Sequence, residues 1–144
     1  MKKKLIIALS IILISSFLGA VLSAAWNLDH LVAGKLESVN VTYYRCVTCP
    51  NQTKTIVITD ESKMKALENL FFYRFTNPLA PVTNEKGVLD VQFIYQNKTL
   101  SFDVVGTVPG GYPPAIKYGD RSRRYELSQA DLDKILELVA EVYK

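Results

Sequence analysis

Two cysteines stand three positions apart in Cys46-Val47-Thr48-Cys49-Pro50, and the chain has no others. A C-x-x-C pair supports thiol–disulfide exchange when one thiolate has a lowered pKa, which usually takes a helix N-terminus at the first cysteine. Here Pro50-Asn51-Gln52-Thr53-Lys54-Thr55 leads into a β-rich run instead. Residues three apart on an extended strand lie about 10 Å apart, beyond the roughly 7 Å that a disulfide spans. A Cys46–Cys49 bridge therefore demands a turn, which Pro50 and a hairpin end supply. The expected role is a structural disulfide, with a thiol–disulfide oxidoreductase as the alternative.

Other catalytic chemistry lacks parts. With His30, the cysteines make three ligands, one short of a closed zinc site, and an oxidised pair does not ligate. No metal or other cofactor is expected. His30 is the only histidine and precedes the β-rich region, where it reads as a surface residue. Ser–His and Cys–His nucleophiles then have no base. Asp90, Asp103 and Asp120 leave a formal route to a two-carboxylate hydrolase, but Asp90 and Asp103 alternate with apolar residues, as solvated sheet residues do. The pattern points away from an enzyme.

Binding chemistry is better represented. Gly106-Thr107-Val108-Pro109-Gly110-Gly111-Tyr112-Pro113-Pro114 opens a long Gly/Pro loop to Asp120, closely followed by Arg121, Arg123 and Arg124. Tyr112 and Tyr118 offer flat amphipathic surfaces, and guanidinium groups suit carboxylate or phosphate oxygens. These five side chains make the expected ligand site, for a protein partner or an anionic cell-envelope component. The competing reading is a solvated crossover whose arginines pair with nearby acids. In Phe71-Phe72-Tyr73-Arg74-Phe75, consecutive aromatics cannot all face one side of a helix. At least one should point away from the sheet, under the Asn77–Pro81 loop.

The address of such a site comes from residues 1–25. Lys2-Lys3-Lys4 precedes an uncharged stretch, Leu5 to Ala25, that closes on Ser23-Ala24-Ala25. This is an export signal of bacterial type, with small residues set for cleavage after Ala25. Its length also overlaps the roughly 17–25 residues of a membrane span. Cleavage is the favoured expectation; if uncut, residues 5–25 hold the chain in the membrane with its remainder outside, by the positive-inside rule. Three of the 17 basic residues are the leading lysines, leaving 14 against 14 acidic ones. That balance argues against nucleic acid, which favours concentrated positive charge. The Asn40, Asn51 and Asn97 sequons are read as accidental in a bacterial exported chain.

Periodicity supplies the elements. Residues 26–37 read as a lead-in or stalk, with Leu28, Leu31, Val32 and Leu36 near helical spacing. Residues 38–144 read as one domain. Ser38–Arg45 and Lys54–Thr59 alternate as a hairpin, and Asp60 is placed to cap a helix from Glu61 to Phe72. Val88–Tyr95 and Thr99–Val105 make a second hairpin around Asn97-Lys98. Arg123–Leu127 is a short strand. Ser128-Gln129-Ala130-Asp131 caps a final helix striped by Leu132, Ile135, Leu136, Val139 and Val142. The expected architecture is α+β: an antiparallel sheet of about five strands in ββα-βββα order, with two helices on one face. The expected function is a small exported or membrane-anchored extracytoplasmic domain. It is non-enzymatic and binds a protein or envelope component, or serves as a structural subunit of a membrane complex.

Overall fold

The computed structural model describes residues 2–21, 25–44, 53–73, 78–79, 88–106, 113–119 and 124–142. The element order is α1 (Lys2–Val21), α2 (Ala25–Leu31), β1 (Leu36–Tyr44), β2 (Thr53–Ile58), α3 (Glu61–Phe71), β3 (Pro78–Leu79), β4 (Leu89–Tyr95), β5 (Thr99–Val105), β6 (Ala115–Tyr118), β7 (Arg124–Glu126), α4 (Gln129–Leu138), then a 3₁₀ turn at Ala140–Val142. The fold is α+β. Its seven strands form one antiparallel sheet in the order β2-β1-β4-β5-β6-β7-β3.

Strict alternation builds the central strands. Leu89, Val91, Phe93 and Tyr95 on β4 are buried, with Leu100, Phe102 and Val104 on β5 and Val39 and Val41 on β1. Cross-strand register puts these side chains on one face, with Val41 opposite Val91 and Val91 opposite Phe102. That face meets Met64, Leu67 and Phe71 of α3, and Leu132 and Ile135 of α4. Both helices start where capping side chains place them. The Asp60 carboxylate accepts from the Lys63 amide at 2.8 Å, and the Ser128 hydroxyl accepts from the Asp131 amide at 3.1 Å.

Two expectations are corrected. Among the described residues the sheet has seven strands rather than about five. β6 runs through the segment expected as Gly/Pro loop, because Ile116 and Tyr118 alternate onto the core face opposite Val104 and Phe102. β3 is a two-residue edge strand on β7, too short for periodicity to reveal. The expected lead-in is part of the fold. Its first half is α2, and β1 already begins at Leu36. Phe71 and Phe72 both point inward, because the helix ends at Phe71 and Phe72 turns extended (φ −111°, ψ 151°), while Tyr73 is the exposed member of the aromatic run, as expected of at least one of them.

α1 is different in kind. Its eight large aliphatic side chains between Leu5 and Ile14 are 51–69% exposed. Its described side chains reach only to Ser16, and among the described residues no helix is long and apolar enough to cross a membrane.

Candidate functional site

A densely connected polar constellation lies, among the described residues, where α2 docks on the end of α3. A seven-residue helix has little stability of its own, so its contacts must hold it. Trp26 enters the core with 1% exposure, edge-on to Phe102 and Tyr125 at centroid distances of 5.8 and 4.5 Å. Its indole Nε1–H donates to the Phe71 carbonyl at 3.0 Å, and the buried Asn27 Oδ1 accepts from the Tyr73 amide at 3.0 Å. Each bond satisfies a backbone group just where α3 ends. Gly34, at φ +87°, then turns the chain toward β1, with Asn97 so close that an added Cβ would lie 3.0 Å from its amide nitrogen.

His30 completes this junction. Its ring stacks on Phe72, with centroids 4.1 Å apart and planes 22° from parallel. Nε2 lies 2.9 Å from Glu68 Oε1, and Nδ1 lies 2.8 Å from the Tyr73 hydroxyl. Tyr95 donates its hydroxyl to the same Glu68 oxygen at 2.8 Å. Burial pushes the Glu68 carboxyl up, but the His30 and Tyr95 hydrogen bonds and the His30 and Lys65 charges outweigh it, so its pKa lies below the usual value. Burial first, and then Glu68, raises the Tyr95 and Tyr73 hydroxyls, which stay protonated. Tyr73 itself sits at φ +55°, a conformation costly for a bulky side chain, and the Asn27 and His30 contacts hold it there. A histidine whose two nitrogens are both engaged serves as a clasp. His30 therefore lies inside the fold, against the expectation of a surface residue before it.

The expected ligand residues divide differently. Cys46, Cys49, Tyr112, Arg121 and Arg123, with Asp120, lie outside the described residues. Tyr118 and Arg124 are described, and both are buried rather than presented on a loop. The Tyr118 hydroxyl donates to Asp29 Oδ2 at 2.5 Å, fastening α2 to β6, and Lys98 pairs with the same carboxylate. Arg124 pairs with Lys117 of β6 on one side and Leu79 of β3 on the other, with no exposure. For these two residues the exposed-surface reading is corrected: Tyr118 anchors a helix, and Arg124 lies within the sheet.

The face of the sheet opposite the helices carries a second polar group. Asp90 and Asp103 are directly opposed across β4 and β5. Gln92 Nε2 donates to Asp90 at 3.0 Å, and Lys117 Nζ is 3.9 Å from Asp103. Asp90, Gln92 and Asp103 line a depression of about 200 Å³ with Ser101 and Gly119. Burial, aided by the Asp103 charge and opposed by Gln92, raises the Asp90 pKa. A raised carboxyl pKa means that ionisation opposes folding, so this group's contribution improves as pH falls through its folded pKa. Asp90→Asn should therefore raise stability at neutral pH by about 0.2–1 kcal/mol, the range for relief of a cross-strand like-charge pair. Denaturant titration of the two proteins checks this; a loss of stability would mean that the carboxylate has an essential partner.

Sequence reasoning missed the α2 junction because its apolar stripe, Leu28, Leu31 and Val32, is the outward face. The inward face uses Trp26, Asn27 and His30 with Ala33. The available signal was the polar and aromatic residues at helical spacing opposite that stripe. Comparison of the chain with protein-family models, with curated proteins and with solved structures gives no match.

Proposed function

We propose that this chain is a membrane-anchored extracytoplasmic domain, held at the outer face of the cytoplasmic membrane by an uncleaved residue 5–25 segment, with a binding or accessory role rather than a catalytic one. The observation that carries this reading is the integration of α2 into the core. Cleavage after Ala25 would place a positively charged amine in the first turn of α2, where the helix dipole disfavours it. That amine would sit at the backbone of Trp26, the largest buried side chain. Keeping residues 1–25 avoids both penalties. Three lysines ahead of the exposed aliphatic helix favour retention of the N-terminus in the cytoplasm.

The non-enzymatic part rests on His30 being committed to Glu68 and Tyr73, which removes the only histidine from general-base work. A protein or anionic envelope component remains the proposed ligand class, through Tyr112, Arg121 and Arg123. The oxidoreductase alternative rests on Cys46 and Cys49 alone. A C-terminally tagged chain should resist carbonate extraction from membranes and be digested by protease added to intact protoplasts. Release by carbonate removes the anchor, and protection in protoplasts removes the outward orientation.

A further inference from the structure

The apolar stripe on α2 is the part of the junction that the domain leaves uncovered. Leu28, Leu31 and Val32 are 54%, 61% and 66% exposed, while Trp26 and Ala33 on the opposite side are buried. Leu28 and Leu31, three residues apart, share one edge of α2, and Val32 follows in the turn directly after it. Four backbone steps separate Val21, the end of α1, from Ala25, and α2 itself is seven residues long. At about 3.6 Å per extended step and 1.5 Å per helical residue, Val32 lies no more than roughly 25 Å from the end of α1. Lys35 is exposed just beyond the stripe. Lys98, paired with Asp29, stands on the adjoining turn, whose Asn97 amide donates to the Ala33 carbonyl at 3.0 Å.

We propose that Leu28, Leu31 and Val32 seat in the interfacial layer of the same bilayer that holds α1, with Lys35 beside the headgroups, so that the domain rests on the membrane instead of swinging from a tether. This rests on the anchored reading above. A short helix with one apolar edge and a basic flank suits an interface, where such side chains enter the headgroup and acyl boundary, and anionic lipid attracts the lysine. A second copy of the chain fits less well: three aliphatic side chains fall far short of the roughly 800 Å² per partner in a stable interface. The clasp gives the contact leverage. α2 is fixed to α3 through Phe71, Glu68 and Tyr73, so seating this edge orients the whole sheet.

The test uses the full chain in vesicles of phosphatidylethanolamine and phosphatidylglycerol carrying lipids brominated near the headgroup. Leu31→Trp adds an indole at the edge, and Val57→Trp adds one at an equally exposed position on β2 (61%). Emission of each added indole is taken relative to the parent chain, and carbonate resistance is measured on the same vesicles. The expected result is resistance in all three, with the residue-31 indole losing about half its emission to brominated lipid, as a side chain ~5–10 Å into the boundary would. The residue-57 indole should respond only to aqueous iodide. Adding Leu28→Ser and Val32→Ser to the first variant should return its indole to iodide without loss of carbonate resistance. Resistance with both indoles open to iodide overturns the docking and leaves the anchor. Equal bromolipid quenching at both positions overturns it as general adhesion, and shielding of residue 31 from both quenchers overturns it in favour of self-association. Release by carbonate overturns the anchor, and the docking with it.

Discussion

Trp26→Ala is expected to lower the unfolding free energy by about 3–5 kcal/mol, the range for truncating a fully buried tryptophan. Its ring lies against Phe102, Tyr118 and Tyr125 at 5.8, 5.9 and 4.5 Å. Truncation also removes the donor to the Phe71 carbonyl. Because α2 has seven residues, losing its largest anchor should free the whole helix, with the near-ultraviolet signal of the aromatic cluster falling as well. Trp26→Phe separates the two contributions: it keeps most of the apolar contact and loses the N–H, so a cost nearer 1 kcal/mol is expected. Denaturant titration in detergent micelles measures both. A cost below about 1 kcal/mol for the alanine variant would mean that α2 is a lead-in after all.

The second large effect belongs to Glu68. Glu68→Ala should cost about 2–3 kcal/mol at neutral pH, since it strips a charged partner from Tyr95, whose side chain is buried, and from His30. The wild-type dependence on pH follows from the lowered Glu68 pKa. A carboxyl whose folded pKa is depressed adds stability above its unfolded value, and that stability fades as pH falls through the folded value. The gap between wild type and variant should therefore be widest at neutral pH and close below the ordinary glutamate value of 4.5. Titrations at pH 7 and pH 3 provide the comparison; a gap independent of pH would assign the cost to lost packing.

Elements written locally were legible in the sequence. The two hairpins follow from alternation, and the starts of α3 and α4 follow from Asp60 and Ser128, because each signal lies within a few residues of what it specifies. What stayed hidden depends on partners far along the chain. His30 meets Glu68 38 positions later, Trp26 reaches Phe71 45 positions later, and Tyr118 reaches Asp29 89 positions earlier. No window around any of these residues contains its partner. Tyr118 and Arg124 were misplaced for the same reason: tyrosine and arginine beside a Gly/Pro loop have the composition of an exposed site. Only the pairing of β6 with β5 and β7 places them inside. The α2 stripe misled in the opposite direction, since its apolar residues are the ones left outside.

The N-terminus of the mature protein tests the central claim most directly, because the anchor requires residues 1–25 to remain attached. Intact-mass measurement of the C-terminally tagged protein, purified from membranes of its host, should return a chain that still contains those residues. A mass corresponding to a chain beginning at Trp26 would contradict the account. It would show that the core tolerates a free amine at its edge and that the domain is released.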